Sequence, residues 1–353
     1  MHAGSTAGSD AEIEDAGRPD PDCPKHMVYG PCGGVKNSGA CEVDERPCPF
    51  VDRALRRWDG PIVESAVAAT HTSFGDPAIV IDLRVRPFDL DSIRDVTARL
   101  ASVCDAVLVG EHHARPDFPP TFVAAAVAAA GGRAWVTLTC RDRNRVVLEA
   151  ELEALSIAGA AGVHCVTGDA RAPSVRRDAT QVFDLDSMRL TALARRAGLH
   201  VSVGATPLAP PIEQRPLRLL DKQRAGATTC FVNHAGGAPG IARFVAAARS
   251  LGVDMAFIPC VSAFTDAASW DVLARFPGLV LDERLRDQVL GARDPRQAGI
   301  DAAVDQALAM LDIDGVVGVN LSGSATSGSE LDGAAIMAEI AGAIRARVTS
   351  AQS

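Results

Sequence analysis

The sequence predicts an α/β protein whose main part is a (β/α)8 TIM barrel, preceded by a small Cys-rich metal-binding module. Short apolar, β-branched runs alternate strictly with longer helical runs, and eight strand candidates can be counted. The chain has 353 residues, 47% of them apolar but only 4% aromatic, which suits many packed helix–strand layers. A doubly wound sheet is the competing arrangement, and the strand count favours the barrel.

The first 22 residues are predicted to be a disordered tail. They consist largely of Gly, Ser, Asp and Pro, with little apolar surface to bury. This segment has no apolar core of the signal-peptide kind, and no run along the chain approaches the ~18 apolar residues of a membrane helix. We therefore expect a cytoplasmic protein without membrane contact. The net charge of −9 argues against nucleic-acid binding.

A Cys-rich stretch follows and extends to residue 61. Four of the nine cysteines lie here, at Cys23, Cys32, Cys41 and Cys48, among Gly-Pro, Gly-Gly and Ser-Gly turns. Such turns allow the four sulfurs to converge, and thiolate quartets bind Zn²⁺ or a four-iron cluster. The spacing does not choose between these metals, and four free thiols are the alternative. The run PFVDRALRRWDGP at 49–61 predicts a short helix that ends at Gly60–Pro61.

The predicted barrel spans 62–345, followed by a tail at 346–353. The strand candidates are 78–85, 105–110, 133–140, 162–169, 200–207, 228–234, 255–262 and 315–322. The helical runs between them include 90–103, 122–131, 145–160, 186–198, 215–227 and 241–252. Their apolar residues recur at three- and four-residue spacing, and several runs end in Gly, a common helix-stop signal.

Barrel enzymes carry their chemistry at the carboxyl ends of the strands, which directs attention to a few polar residues. Asp82 lies in an otherwise apolar strand. Turned inward, this carboxyl group would have a raised pKa suited to a general acid. Turned outward, it would pair with Arg84 or Arg86, and the pattern alone does not decide. Asp169 ends another strand, either as a catalytic carboxylate or as a turn or cap residue.

Two neighbouring polar residues, Asn233 and His234, end the sixth strand candidate. An Asn amide can pair with the amide edge of a heterocycle, and a His can titrate near neutral pH. His112 and His113 follow the second strand, where adjacent histidines would point to opposite faces. No GxGxxG follows the first strand and no P-loop motif occurs, so classical dinucleotide and P-loop sites are not supported.

The Cys-rich stretch resembles a known module. Cys23-Pro-Lys-His-Met, Gly30-Pro-Cys-Gly-Gly-Val, Gly39-Ala-Cys-Glu-Val and Cys48 match the methylenetetrahydrofolate reductase C-terminal domain in spacing and sequence. The resemblance associates the four cysteines with zinc or an iron–sulfur cluster. Three roles for the module stay open: electron transfer through a cluster, docking of a partner protein subunit, and anchoring of the N-terminus on the barrel.

Residues 62–345 resemble a divergent methylenetetrahydrofolate reductase barrel. The matching segments are LTC at 138–140, AGAAGVHCVTGD at 158–169, Lys222 with AGA at 225–227, and FIP at 257–259. The resemblance implies that Asp82 is the acid that protonates folate, where the family has Glu. It implies that Asp169 lies near the pterin and that Asn233, where the family has Gln, binds it.

The remaining candidates also come from this resemblance. Thr139, within the matched LTC segment, and His234, which follows Asn233, are substrate-binding candidates. Lys222 matches a lysine of the flavin region. The family's flavin-region His, Arg and Tyr correspond to Thr137, Thr167 and Thr206 here.

The implied function is reduction of 5,10-methylenetetrahydrofolate to 5-methyltetrahydrofolate with NAD(P)H, in one-carbon metabolism. FAD is allowed, but its usual contact residues are replaced, and some reductases of this family pass hydride directly from NADH to folate. The alternatives are a folate-binding partner in methyl transfer or demethylation, and a non-catalytic folate-binding subunit of a larger complex.

Overall fold

The barrel closes in the computed structural model, which describes residues 17–62, 74–111, 115–171, 178–275 and 279–352. Eight parallel strands pair in chain order, and β8 returns to pair with β1. The strands are β1 (Ala78–Leu83), β2 (Ala106–Val109), β3 (Ala134–Thr139), β4 (Gly162–Val166), β5 (Val201–Ala205), β6 (Thr229–Val232), β7 (Ala256–Phe264) and β8 (Gly318–Ala325). The TIM-barrel prediction is confirmed.

Helices cover the outside of the barrel. They are α1 (Leu90–Leu100), α2 (Pro120–Ala129), α3 (Arg145–Ile157), α4 (Ser187–Arg196), α5 (Arg215–Arg224), α6 (Ala238–Ser250), α7 (Ala267–Ala274), α8 (Glu283–Leu290), α9 (Pro295–Leu311) and α10 (Glu330–Gln352). A 3₁₀ turn, Ile212–Gln214, leads into α5. Asp and Asn side chains cap several starts; Asp89, for example, accepts the Ser92 amide before α1.

The alternation of side chains along β1 explains which way Asp82 points. Ile79 and Ile81 pack into the large core shared with the helices, whereas Val80 packs inside the barrel with Trp135. Successive strand residues face opposite sides, so Asp82 lies on the same face as Val80. It therefore projects into the barrel, one layer nearer the carboxyl end.

The predicted helix at 49–61 is wrong, because within the described range 17–62 no residue is helical. Trp58 instead packs in an extended segment against Tyr29, Met188 and Ala225, and its Nε1 donates to the Pro61 carbonyl at 3.0 Å. This contact with the barrel overrides the local helical pattern.

The two predicted tails differ from the structure in their described parts. Asp20 N donates to the Met27 carbonyl at 2.9 Å, so part of the predicted N-terminal tail is hydrogen-bonded to the module. The last helix runs to Gln352, so the boundary expected at residue 345 falls inside it. No helix in the described ranges is long and apolar enough to cross a membrane.

The Cys-rich module, residues 23–61, packs against the β4–α4 loop and helix α5. Backbone and side-chain hydrogen bonds join it to the barrel, including Val28 N to Asp186 Oδ2 at 3.3 Å. Arg57 forms two hydrogen bonds of 2.7 and 2.8 Å with the buried Asp221 carboxylate on α5. The module is thereby fixed over one side of the barrel mouth.

Candidate functional site

A cavity of about 640 Å³ opens at the carboxyl ends of the barrel strands. This volume is within the range of ligand-binding cavities. Its wall is built by both parts of the protein: Lys25 and the turn Pro31–Gly34 come from the module, and the rest from the barrel. The predicted barrel candidates all line it, namely Asp82, Thr137, Thr139, Thr167, Asp169, Thr206, Lys222, Asn233 and His234.

Asp82 is turned into this cavity, not toward Arg84 or Arg86. Its Oδ1 accepts a hydrogen bond from Asn320 Nδ2 at 2.9 Å, and its Oδ2 accepts one from the Gly323 amide at 3.0 Å. Burial raises the pKa of Asp82, and the hydrogen bonds from Asn320, Gly323 and Ser322 offset only part of that rise. A carboxyl group of this kind holds a proton at higher pH than an exposed one.

A chain of close polar contacts, here called the polar row, runs from Asp82 to Thr206 along neighbouring strands of the barrel wall, from β1 through β8, β7 and β6 to β5. Asn320 Nδ2 lies 3.8 Å from Cys260 Sγ, and Cys260 Sγ lies 3.9 Å from Asn233 Oδ1. Asn233 Nδ2 donates to Thr206 Oγ1 at 3.3 Å. Asn320 Oδ1 is buried and has no partner in the described part of the chain. The polar row thus offers amide donors and acceptors to a polar heterocycle.

Three basic side chains lie at other parts of the cavity wall. Burial lowers the pKa of Lys222 to about 7, and the positive charge of Arg218 lowers it further. Lys222 Nζ donates a hydrogen bond to the Gly204 carbonyl at 2.6 Å. Burial lowers the pKa of His164 to about 3 and that of His234 to about 4. Both histidines are neutral near pH 7, so His234 does not titrate there as the sequence suggested.

A second carboxylate, Glu111, faces the cavity beside Thr139. Its oxygens accept the Thr139 amide and hydroxyl, each at 2.9 Å, and Arg143 Nη1 at 2.8 Å. Thr139 is therefore engaged with Glu111. His112 and His113, which follow Glu111, lie outside the described residues.

Asp169 differs from Asp82 in its surroundings. It is exposed at the rim of the cavity, three residues beyond the end of β4. Arg141 Nη1 donates to its backbone carbonyl at 3.1 Å, and Lys25 Nζ donates to the Gly168 carbonyl at 2.7 Å. Lys25 also forms a buried ion pair with Glu42. Two cations therefore fix the backbone of this loop, while the carboxylate of Asp169 remains accessible to a ligand.

The module covers two of the positions that the resemblance links to flavin. Thr167 Oγ1 contacts Met27 Sδ at 3.5 Å and accepts the Ser187 amide. A methyl group built on Gly33 would lie 2.7 Å from Thr206 Oγ1, so the module passes directly over this threonine. Thr137 lines the cavity and is half-buried. These contacts do not fit a flavin held through Thr167 and Thr206.

The four module cysteines lie in one region. Cys32 and Cys48 pack against the small apolar cluster of Cys23, Met27 and Phe50, and burial raises the pKa of Cys23, Cys41 and Cys48. Across the described ranges, no group of three or more His, Cys, Asp or Glu side chains is arranged so that it could hold a metal ion. Zinc or an iron–sulfur cluster at these cysteines therefore stays a prediction.

The sequence analysis assigned no role to three neighbouring residues of the site. Asn320, Cys260 and Glu111 belong to strand ends where a barrel places its chemistry, and that position was their only signal. The module residue Lys25 and the α5 residues Arg215 and Arg218 were missed. No pattern in the sequence indicates that the module and α5 meet at the cavity.

Comparison with known proteins identifies the N-terminal part. Residues 16–61 match the family described as "Methylene-tetrahydrofolate reductase C terminal". The Cys-rich module is therefore similar to the C-terminal domain of methylenetetrahydrofolate reductase. No curated protein sequence matches the chain.

Comparison with solved structures finds one whose TM-score supports the barrel fold, and others of lower similarity. An uncharacterized protein from Clostridium thermocellum that binds two copies of 5-methyl-5,6,7,8-tetrahydrofolic acid has 10% identity and a TM-score of 0.52, covering 78% of this chain and 98% of that one. A 2,3-dimethylmalate lyase has 12% identity and a TM-score of 0.44, covering 73% of this chain and 80% of that one. Tryptophan synthase from M. tuberculosis has 16% identity and a TM-score of 0.42, covering 80% of this chain and 100% of that one.

Proposed function

We propose that this protein is a folate oxidoreductase that reduces 5,10-methylenetetrahydrofolate to 5-methyltetrahydrofolate with NAD(P)H. The observation that carries the proposal is the inward carboxyl group of Asp82, with its raised pKa, at the wall of a ligand-sized cavity. The reductase C-terminal domain supports a folate-related role. A protein of the same fold that binds 5-methyltetrahydrofolate supports the choice of ligand.

The first chemical step requires an acid. The five-membered ring of the substrate opens when the bond between N10 and the bridging carbon breaks, and N10 takes a proton as it leaves. Asp82 supplies that proton because its burial favours the neutral form. The product of this step is a 5-iminium cation, and Asp82 is left as a carboxylate that Asn320 and Gly323 stabilise by hydrogen bonding.

The second step adds hydride from NAD(P)H to the exocyclic carbon of the iminium cation. This produces the methyl group on N5 and leaves NAD(P)⁺, and Asp82 recovers its proton from solvent. Asp169 and Glu111 supply negative charge at the cavity wall that favours the cation. Asn233 and the polar row orient the pterin through its amide edge.

Hydride passes directly from the nicotinamide in this proposal, without a flavin. The reason is that Thr167 and Thr206 contact Met27 and Gly33 of the module. Those contacts leave the two threonines engaged with the protein itself. The module forms part of the cavity wall, and exclusion of water by bound substrate protects an iminium cation from hydrolysis.

The test is Asp82→Asn, which keeps the shape of the side chain and removes its acid function. We expect about a 10²- to 10⁴-fold loss of NAD(P)H oxidation with methylenetetrahydrofolate, and unchanged folate binding. Asp82→Glu is the matched variant, since it restores the carboxyl group on a longer arm and should retain more activity than Asp82→Asn. Equal activity of Asp82→Asn and the wild type would contradict the proposal.

A second candidate function is folate binding without reduction, as a subunit that docks a methyl-transfer or demethylation partner through the module. The contacts of Thr167 and Thr206 with the module favour it, because these two flavin-region positions are already engaged with the protein itself. In that case the wild type binds folate yet never consumes NAD(P)H, with or without partner subunits. A progress curve with both nucleotides separates the two functions.

A further inference from the structure

One face of helix α5 carries three basic side chains into the cavity wall. Arg215, Arg218 and Lys222 are spaced three and four residues apart, so they lie along the same side of the helix, and all three line the cavity. None of them forms a salt bridge with an Asp or Glu in the described part of the chain. The negatively charged residue of this helix, Asp221, pairs with Arg57 instead.

The three cations differ in how their hydrogen bonds are used. Arg215 donates to the carbonyls of Ala209, Pro210 and Cys32 at 2.8, 2.5 and 2.9 Å, so its guanidinium holds the module against the barrel. Lys222 donates to the Gly204 carbonyl. Arg215 and Lys222 thus donate to backbone carbonyls, whereas Arg218 donates to none in the described part of the chain.

Arg218 is 5% exposed, yet its guanidinium has no oxygen acceptor among the described residues. Its one contact with a polar atom is Met188 Sδ, 3.7 Å from Nη1, which is a weak acceptor at a long distance. Asp186 is close enough to influence Arg218 electrostatically, but its oxygens accept the amides of Val28, Met188 and Arg189. A buried guanidinium with unused donors is costly unless a ligand anion accepts from it.

Gly30, the residue before the Pro31–Gly34 turn of the module, lies beside Arg218. A methyl group built on the neighbouring Gly30 would lie 3.4 Å from Arg218 Nη1, which places the turn beside the guanidinium. Pro31, Gly33 and Gly34 line the same cavity as Arg218, and the Glu42 carboxylate beside Gly34 is paired with Lys25. The module therefore forms part of the cavity wall near the unused donors of Arg218.

We propose that the space between Arg218 and the Pro31–Gly34 turn is an oxyanion site for the ligand of the cavity. Arg218 donates two parallel hydrogen bonds to a carboxylate or phosphate of that ligand. The choice of ligand rests on the proposed function, which offers two sources: the glutamate carboxylates of the folate and the phosphates of the nicotinamide nucleotide. In either case the module contributes part of the binding site.

The test is Arg218→Gln, with Arg224→Gln on the same helix as the control, because Arg224 does not line the cavity. Affinities are measured for tetrahydrofolate, for 6-methyltetrahydropterin, which has no glutamate, for NADH and NADPH, and for inorganic phosphate. We expect Arg218→Gln to weaken either tetrahydrofolate or the nucleotides about 10- to 100-fold, and phosphate with them, while pterin affinity is unchanged. The ligand class that weakens identifies the source of the anion.

Circular dichroism checks that Arg218→Gln is folded, and Arg218→Lys provides a second variant that keeps the charge but loses the planar fork. Unchanged affinity of folded Arg218→Gln for every ligand and for phosphate overturns the oxyanion site. The rate at which iodoacetamide alkylates Cys32 is measured in the same variants. If Arg218→Gln changes this rate and no ligand affinity, the oxyanion site is overturned, because Arg218 then acts only on the Cys32 thiol. Failure of the wild type to bind any folate contradicts the proposed function, whereas the phosphate and nucleotide arms still test the oxyanion site.

Discussion

Asn320 on β8 donates a 2.9 Å hydrogen bond to Asp82 on β1, at the seam where the barrel closes. The two strands are first and last in the chain, so this contact forms only when the barrel is complete. The same amide approaches Cys260 and begins the polar row that ends at Thr206. Barrel closure therefore determines both the orientation and the pKa of the proposed acid.

Removing the Asn320 donor should change the pH dependence of the reaction. Burial raises the pKa of Asp82 and the Asn320 hydrogen bond lowers it, so Asn320→Ala raises it further. Because the acid works in its protonated form, the fall of kcat with rising pH should move to higher pH in Asn320→Ala. Gln306→Ala removes a nearby amide that contacts Ser262 and is the control. A pH profile that stays in place would show that Asp82 is not the group that titrates.

Lys222 should react as a neutral amine near neutral pH. Burial lowers the pKa of its ammonium group to about 7, whereas an ordinary lysine titrates near 10.5. The chain has only three lysines, and Lys25 is held in a buried ion pair with Glu42. Reductive methylation followed by mass spectrometry should label Lys222 with a midpoint near pH 7, and a bound ligand should protect it. A labelling rate that rises only near pH 10 would contradict the burial of this amine.

Two adjacent arginines should contribute very differently to stability. Arg57 forms an ion pair with the buried Asp221. Arg56 forms an ion pair with Asp59, and the side chains of Arg56 and Asp59 are each more than 40% exposed. Arg57→Ala leaves a buried carboxylate with Arg224 at 3.5 Å, so it should lower the free energy of unfolding by about 1–3 kcal/mol. Arg56→Ala should cost about 0–1 kcal/mol. Urea unfolding compares the two variants, and equal losses would contradict docking of the module through Asp221.

Asp266 should stabilise the protein in a pH-dependent manner. Burial raises its pKa, but hydrogen bonds from Ser327, Ser269 and Thr326 outweigh burial and lower it to about 2. A carboxyl group with a lowered folded-state pKa stabilises fully above its unfolded pKa of 3.8 and loses that effect as pH falls toward 2. Asp266→Ala, which removes the cap of α7, should cost about 0.5–2 kcal/mol near pH 7.

The difference in the free energy of unfolding between the wild type and Asp266→Ala should become smaller as the pH falls from 4 to 2. Asp266→Asn keeps an acceptor for the Ser269 amide but cannot titrate, so its difference from the wild type should show the pH dependence of the charge alone. Thermal unfolding across this pH range measures both. A constant difference for Asp266→Ala would show that the carboxylate charge contributes nothing.

Much of the barrel could be predicted because its signals are local. The strand runs are rich in β-branched residues, and the helical runs have three- and four-residue spacing and stop at Gly. The helix expected at 49–61 failed for a physical reason: Trp58 gains more by packing against Tyr29 and Met188 than by helical hydrogen bonds. No window of sequence contains that information.

The site could be predicted in part. Asp82, Asn233 and Lys222 do line one cavity, as strand order and the resemblance to the reductase family suggested. The partners that tune them could not be predicted, because Asn320 reaches Asp82 across 238 positions of sequence. The position of the module was equally hidden, since Arg57 reaches Asp221 over 164 positions.

The most direct test of the account is an equilibrium titration of the protein with 5-methyltetrahydrofolate. We predict saturable binding that Asn233→Leu weakens about tenfold, because the pterin loses its amide partner, whereas Gln306→Ala leaves the affinity unchanged. Absence of binding at millimolar ligand, or equal affinity in Asn233→Leu and the wild type, would contradict the assignment of this cavity to a folate.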